Sequence, residues 1–181
     1  MSKRVLVIST SLRKGSNSDV LADEFLRGAE KVGNKVEKIN LTNKELRFCI
    51  GCLACQKTGH CVLKDDANEI VNKMHNSDVI VFATPIYFYE MAGQMKTLLD
   101  RSNPLFPSDY KFRDIYLLAT AAESSKSAMD GAIKGLQGWV DCFEKANLTD
   151  IVYGVGVDDA ETISKSSDLL QTAYHMGQNI K

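Results

Sequence analysis

The stretch RVLVISTSLRKGSNS, residues 4–18, begins with a short run of β-branched and apolar residues that is typical of a buried parallel strand. A polar loop follows it. The next segment, residues 18–32, then carries apolar residues at helical spacing, namely Val20, Leu21, Phe25, Leu26 and Ala29. The stretch therefore predicts a strand that leads through a polar loop into an amphipathic helix.

The same alternation continues along the chain. Strands are predicted at residues 4–10, 35–41, 79–84, 114–121 and 150–157, and helices at residues 18–32, 66–74, 93–102, 128–146 and 161–179. Five strands interleaved with five helices predict an α/β fold with an open, doubly wound sheet. We expect one domain over residues 1–181, with a cysteine-rich loop insertion at about residues 42–64.

The composition excludes several classes of protein. Hydrophobic residues make up 44% of the chain and charged residues 25%, and the formal net charge is -1. This balance gives no basic footprint for nucleic acid. No apolar run approaches the length of a membrane span, and the N-terminal apolar run is too short for a signal peptide. We therefore expect a cytoplasmic protein with reduced thiols and no membrane partner.

Four cysteines lie within thirteen residues, in the run CIGCLACQKTGHC, at Cys49, Cys52, Cys55 and Cys61. Compact groups of four thiolates hold iron–sulfur clusters. Zinc usually takes C-x2-C pairs with a longer spacer, and free thiols can form a redox-active pair. The spacing favours a cluster and leaves zinc and free or disulfide-forming thiols as alternatives. The fifth cysteine, Cys142, lies beside Phe143 and is expected in the core.

Ligands of open α/β sheets bind beyond the carboxyl ends of the strands, so three loops that follow strands are the candidate site. The first loop, residues 9–18, combines hydroxyl groups with a helix N-terminus and Arg13, which together suit a phosphate group. It contains neither G-x-x-x-x-G-K-[ST] nor G-x-G-x-x-G, which disfavours a nucleoside triphosphatase and a dinucleotide site. The alternative for this loop is a capping turn with solubilising hydroxyls.

The second loop, TPIYFYEMAGQMK at residues 84–96, places three aromatic residues after a central strand. Exposed aromatic side chains at that position suit stacking on a planar ring, and they are equally compatible with cover by a neighbouring subunit. The third loop, residues 120–126, is small and polar and by itself says little.

These segments together resemble the NADPH-dependent FMN reductase family of flavodoxin-like proteins, and more closely its iron–sulfur flavoprotein branch. The resemblance covers nearly the whole chain and is most specific over residues 9–101. It rests on the serine-rich first loop, the cysteine run, and the pattern P-x-Y-F-Y-E-M-x-G-Q-M-K-x-x-x-D-R at residues 85–101. It implies a flavodoxin-like three-layer sandwich with a five-stranded parallel sheet of order 2-1-3-4-5, non-covalently bound FMN, and a homodimer or homotetramer.

The resemblance also implies roles for individual residues. The FMN phosphate would be held by Ser9, Ser11, Arg13, Ser16, Asn17 and Ser18. The isoalloxazine and ribityl chain would be flanked by Pro85, Ile86, Tyr87, Phe88 and Tyr89, and the polar edge of the ring by Thr120, Ala121 and Glu123. This chain has Thr-Ala-Ala at residues 120–122, where the family pattern often has a Thr-Gly or Gly-Gly pair. The iron–sulfur branch carries a 4Fe–4S cluster, and the resemblance implies that its ligands here would be Cys49, Cys52, Cys55 and Cys61.

Three functional classes follow from this resemblance. The first is an FMN-dependent oxidoreductase that takes electrons from NAD(P)H and delivers them, with or without the cluster, to an unknown acceptor. No side chain needs to act as an acid or a base in that reaction, because the cofactor carries the chemistry. The alternatives are a non-enzymatic electron carrier served by ferredoxin and a cysteine-based redox sensor. A net charge of -1 gives little support to a carrier of the acidic flavodoxin type.

Overall fold

The computed structural model describes residues 2–159 and 162–180. Its central sheet contains five parallel strands: β1 (Arg4–Ser9), β2 (Lys35–Asn40), β3 (Val79–Tyr87), β5 (Asp114–Thr120) and β6 (Asn147–Gly154). They lie in the order β2-β1-β3-β5-β6. Counted along the chain, the parallel strands therefore have the predicted flavodoxin-like order 2-1-3-4-5, and the predicted fold class is confirmed.

The sheet has one strand more than the sequence predicts. The two-residue strand β4 (Glu90–Met91) pairs antiparallel with the end of β3, in the register Ile86↔Met91 and Tyr87↔Glu90. The prediction of five strands was incomplete because this short hairpin lies inside the aromatic loop, where the apolar alternation is too brief to be recognised.

The described part of the chain contains six helices: α1 (Asn17–Lys31), α2 (Cys55–Thr58), α3 (Ala67–Asn76), α4 (Gly93–Arg101), α5 (Asp130–Val140) and α6 (Ser167–Gln178). Short 3-10 turns occur at Leu41–Asn43, Asn103–Leu105, Lys126–Met129 and Ile163–Lys165. Helices α1 and α6 cover one face of the sheet, and helices α3, α4 and α5 cover the other. No helix among residues 2–159 and 162–180 is long and apolar enough to span a bilayer.

Some predicted boundaries were wrong. The helix predicted at residues 128–146 ends at Val140, and β6 begins at Asn147, three residues before the predicted strand. The first four residues of β6 are mostly exposed because this is an edge strand, so they carry little apolar signal. The last helix begins at Ser167, and the start predicted for it, Glu161, lies outside the described residues.

Close contact between two helices fixes one face of the sandwich. A Cβ atom on Gly28 of α1 would lie 2.0 Å from the backbone oxygen of Tyr174, and a Cβ atom on Gly177 of α6 would lie 2.0 Å from the backbone oxygen of Phe25. Neither position has room for a side chain. The two glycines therefore allow the backbones of α1 and α6 to touch.

Candidate functional site

A cleft of about 210 Å³ lies at the carboxyl edge of the sheet. The three predicted loops and the segment that follows β6 line it with Ser11, Arg13, Ser16, Asn17, Pro85, Ile86, Tyr87, Thr120, Ala122, Val157 and Asp158. The structure therefore brings candidate residues from all three predicted loops into one site. Ser9 and Ser18 are fully buried and do not line this cleft.

A second cavity of about 220 Å³ adjoins the first. It contains the remaining candidates of the second and third loops, and its lining is Ile86, Phe88, Tyr89, Ala121, Ala122, Glu123 and Ala128. Ile86 and Ala122 belong to both cavities and form the boundary between them. A polar cleft thus leads directly into a more apolar cavity.

The N-terminus of α1 opens into the polar cleft. Ser16 is the N-cap, and its Oγ accepts a hydrogen bond of 3.3 Å from the backbone N–H of Asp19. The backbone N–H groups of Asn17 and Ser18 have no acceptor within the described part of the chain. Free first-turn N–H groups and the positive end of the helix dipole favour an anion at this position.

The loop before α1 is shaped by its own hydrogen bonds. Ser11 is buried, and its Oγ accepts a 3.2 Å bond from the backbone N–H of Arg13. The exposed guanidinium of Arg13 lies 3.4 Å from the backbone oxygen of Asp158 at the rim of the cleft. Gly15 has a φ of +63°, a left-handed conformation that the turn into α1 requires. The loop therefore directs hydroxyl groups and one cation toward the cleft.

Asn17 has a different role from the one expected of its side chain. Its Nδ2 donates to the backbone oxygens of Val157 at 3.3 Å and Asp159 at 2.9 Å, and its Oδ1 accepts from the N–H of Ile163 at 3.2 Å. Both N–H bonds of the amide are used. The side chain therefore fastens the segment after β6 to α1, and the backbone N–H of Asn17 is the donor left for a ligand.

The aromatic loop is a tight hairpin. Phe88 and Tyr89 are the two turn residues between β3 and β4, with φ angles of 50° and 63°. Two-residue turns with positive φ usually contain Asn-Gly, so aromatic residues here store backbone strain. The turn packs on α5 at Gly131, where a Cβ atom would lie 2.5 Å from the oxygen of Tyr89. Phe88 is fully exposed at the tip of the hairpin.

The cysteine loop, defined here as residues 44–64, contains the short helix α2 and no strand. All four of its cysteines are free: Cys49 and Cys52 are exposed, Cys61 is half-buried and Cys55 is buried. Within the described residues, no three His, Cys, Asp or Glu side chains lie close enough to hold a metal ion. The thiols therefore do not converge on one point in this arrangement.

The donor set of the loop nevertheless suits an iron–sulfur cluster. Four free thiols lie on one segment, and two of them accept N–H···S contacts: Asn103 Nδ2 lies 3.2 Å from Cys55 Sγ, and the N–H of Gly51 lies 3.5 Å from Cys49 Sγ. Donors of this kind commonly surround cluster sulfurs.

The expectation that Cys142 lies in the core was wrong, because this residue is exposed just after α5.

A buried ion pair fastens the cysteine loop to α4, and sequence reasoning missed it. The side chains of Arg101 and Asp65 are both fully buried and form two bonds, from Nη1 to Oδ2 at 2.6 Å and from Nη2 to Oδ1 at 2.8 Å. Arg101 also donates to the backbone oxygens of Arg47 and Leu63, at the two ends of the loop. The partners are 36 residues apart, so local spacing gives no signal for them.

The charge of Asp65 is stabilised by these contacts. Burial favours its neutral form, but the hydrogen bonds from Arg101 and from the N–H of Arg47 lower the pKa of Asp65 below its usual range. Asp65 also accepts from the N–H of Ala67 at the start of α3, and the neighbouring Asp66 accepts from the N–H of Glu45. The two carboxylates therefore connect the start of α3 to the start of the cysteine loop.

An open parallel sheet with this strand order and a cleft at its carboxyl edge defines a flavodoxin-like protein. The model of the NADPH-dependent FMN reductase family matches residues 3–153, and the chain belongs to this family. The family predicted from the sequence is therefore confirmed.

Named relatives agree with this placement. An iron–sulfur flavoprotein of Methanocaldococcus jannaschii is 41% identical over 102 residues, which cover 56% of this chain and 53% of the relative. An iron–sulfur flavoprotein of Methanosarcina thermophila is 29% identical over 138 residues, which cover 76% of this chain and 72% of the relative. The chain spans about half the length of the first curated relatives it matches, 53% and 43%.

The fold agrees with solved structures as well. The NAD(P)H:quinone oxidoreductase from Methanothermobacter marburgensis superimposes with a TM-score of 0.78 at 16% identity, over 100% of this chain and 97% of that chain. At this identity the similarity establishes the shared fold.

Proposed function

We propose that this protein is an FMN-dependent oxidoreductase that takes electrons from NAD(P)H and delivers them to an acceptor. The observation that carries the proposal is the cleft at the carboxyl edge of the sheet. It combines the free N–H groups at the start of α1 with apolar and aromatic walls, in a chain of the NADPH-dependent FMN reductase family. A phosphate at one end and a planar ring at the other match these two environments.

The residues of the two cavities divide the binding of FMN between them. The phosphate would be held by the backbone N–H groups of Asn17 and Ser18, the hydroxyl groups of Ser11 and Ser16, and the guanidinium of Arg13. The flavin ring would lie along Pro85–Tyr89 and Thr120–Glu123, which line the boundary between the polar cleft and the apolar cavity. Bound FMN would supply the redox chemistry, since flavin accepts two electrons and can release them singly or together. The protein supplies position, charge and exclusion of water.

We further propose that Cys49, Cys52, Cys55 and Cys61 hold a 4Fe–4S cluster. Two observations support it: the four free thiols lie on one loop, and relatives of this chain carry the name iron–sulfur flavoprotein. Thr42 lies two residues before the cysteine loop, and its Oγ1 donates a hydrogen bond of 3.3 Å to the backbone oxygen of Ser11, so the chain enters the cysteine loop beside the loop that precedes α1. A one-electron centre in this loop would serve acceptors that take single electrons.

The exposed apolar residues favour a homo-oligomer, which we propose as a dimer or tetramer. The hairpin tip exposes Phe88, and the cysteine loop exposes Phe48, Ile50 and Leu53. Exposed apolar groups of this size usually mark an interface. Light scattering of the purified protein measures the assembly directly.

The free cysteines agree with a reducing compartment, and we propose that the protein is cytoplasmic.

The proposal is tested on protein made and purified without oxygen. Flavin, iron and acid-labile sulfide are counted on one sample, and oxidation of NADH and NADPH is followed with ferricyanide as an artificial acceptor. The proposal predicts one FMN per chain, about four iron and four sulfide per chain, and steady turnover with a nicotinamide. Absence of bound flavin after incubation with FMN would contradict the proposal that the protein is an FMN-dependent oxidoreductase.

The same sample separates the two alternatives. Reduction of the protein by reduced ferredoxin without any nicotinamide turnover would identify an electron carrier. A change in partner binding that depends on thiol oxidation, again without turnover, would identify a redox sensor. Flavin with turnover but without iron and sulfide would leave an FMN reductase whose cysteines are free thiols.

A further inference from the structure

The segment that follows α4 lies directly against the buried cysteine of the loop. Asn103 is the first residue of the 3-10 turn Asn103–Leu105, and its Nδ2 donates to Cys55 Sγ at 3.2 Å. This is the single hydrogen bond that the Asn103 side chain makes within residues 2–159 and 162–180. The two residues are 48 positions apart in the chain, so the contact belongs to the tertiary structure.

Both members of this contact are shielded from water. Cys55 is buried at 8% exposure, and Asn103 is half-buried above it. The amide N–H of Asn103 points at the sulfur atom of Cys55. Bonds from N–H groups to thiolate sulfur stabilise negative charge on the sulfur, and they gain strength where the surroundings are apolar.

The neighbouring turn of α4 supplies an independent observation. Arg101 uses four of its five N–H bonds, two on Asp65 and one each on the backbone oxygens of Arg47 and Leu63. Its Nε is buried and has no partner among the described residues. The end of α4 and the turn that follows it therefore hold the cysteine loop with a guanidinium and place an amide N–H group against one of its four cysteines.

We propose that Asn103 is a positioning residue for the cluster. Its side chain donates an N–H···S bond to the Cys55 thiolate, and this bond raises the reduction potential of the iron–sulfur centre. The inference rests on the cluster proposed above. A cluster gains one negative charge when it is reduced, so a donor on one of its sulfurs stabilises the reduced form more than the oxidised form.

Two substitutions remove the donor in different ways. Asn103→Ala deletes the amide, and Asn103→Asp keeps its size but replaces the N–H group with a carboxylate oxygen. The matched control is Asp100→Asn on the exposed side of the same helix end, where Asp100 pairs with Lys96 at 2.6 Å. Each protein is purified without oxygen, and its cluster is titrated with dithionite while the reduced signal is followed by electron paramagnetic resonance.

The proposal predicts an ordered series of potentials. Asn103→Ala should lower the equilibrium constant for reduction about tenfold, which corresponds to about 59 mV for a one-electron couple. Asn103→Asp should lower it further, because a negative charge then faces the sulfur. Asp100→Asn should stay within about twofold of the wild type, since its charge is exposed and screened.

Potentials that fall in this order support the proposal. A wild-type potential in both Asn103 variants, even with reduced thermal stability, overturns it and shows that the contact serves folding alone, while the proposed function stands. A wild-type protein without iron and sulfide overturns this inference together with the proposed cluster, while the flavin count and nicotinamide oxidation still test the oxidoreductase separately.

Discussion

At the scale of single residues, Arg101 is the largest side chain that the described structure buries completely. A buried guanidinium is tolerated only when it is paired and its N–H groups are satisfied. Asp65 provides the charge, and the backbone oxygens near the two ends of the cysteine loop accept two further bonds, so that Nε alone lacks a partner among the described residues. This pair is therefore the contact that fixes the loop against α4.

We predict that Asp65→Asn destabilises the fold far more than a surface substitution of the same kind. Losing one member of a buried pair leaves the charge of Arg101 uncompensated, which should lower the free energy of unfolding by about 3–5 kcal/mol. The matched control is Asp100→Asn, which breaks the exposed pair with Lys96 and should cost less than about 1 kcal/mol. Urea unfolding measures both. Equal, small losses would show that Asp65 is not a buried partner.

Tyr116 determines part of the change in stability at high pH. Burial raises the pKa of Tyr116 to about 12, and the neighbouring Asp114 and Asp150 add to the shift. In the unfolded chain a tyrosine ionises near pH 10. Between these two values the folded state keeps a proton that the unfolded state has lost, so the contribution of Tyr116 to stability is intact below about pH 10 and falls as the pH rises.

Tyr116→Phe should therefore flatten the fall of the unfolding free energy above about pH 10. The wild type should lose about 2–3 kcal/mol through this residue by about pH 12. The control is Tyr89→Phe in the exposed hairpin, which should keep the wild-type slope. Unfolding in urea at a series of pH values measures the effect. Identical slopes in Tyr116→Phe and the wild type would contradict the assignment.

At the scale of elements, the sequence predicted the central strands well and the edges poorly. Residues 79–84 form a continuous apolar run, and β3 is buried on both faces along these residues. The start of β6 is mostly exposed, so its pattern is weak. The hairpin after β3 was missed because Phe88 and Tyr89 do not carry the usual signal of a two-residue turn.

The candidate site shows the same limit. Loops that follow parallel strands lie together at the carboxyl edge of the sheet, so the residues that line the polar cleft could be predicted from the sequence. The bonds of Asn17 to the segment after β6, and those of Asp65 and Asn103 to distant partners, join residues at least 36 positions apart. Pairings over such distances depend on the assembled fold, and spacing in one sequence does not encode them.

The contact between α1 and α6 gives an element-scale prediction. Gly177→Ala would place a Cβ atom 2.0 Å from the backbone oxygen of Phe25, so the helices must separate, and we expect a loss of about 3 kcal/mol. Gly138→Ala lies on the open side of α5, where no atom lies within 4 Å. That control should raise stability by about 0.5–1 kcal/mol. Thermal unfolding of both variants measures this, and equal effects would contradict the close helix contact.

At the scale of the whole molecule, the sheet places an anion site and an apolar cavity side by side at one edge. The chain enters the cysteine loop beside this edge, because Thr42 just before the loop donates to the backbone oxygen of Ser11, and Arg101 on α4 binds the loop near both of its ends. The fold therefore brings the cleft at the sheet edge and the start of the cysteine loop close together. The central claim is that the cleft binds FMN through its phosphate.

The most direct test of this claim is a fluorescence titration of the flavin-free protein with FMN and with riboflavin, which share the ring and differ only in the phosphate. The account predicts that FMN binds at least tenfold more tightly, because the phosphate gains charge-assisted bonds at the start of α1. Equal affinity for the two flavins, or binding of neither, would contradict it.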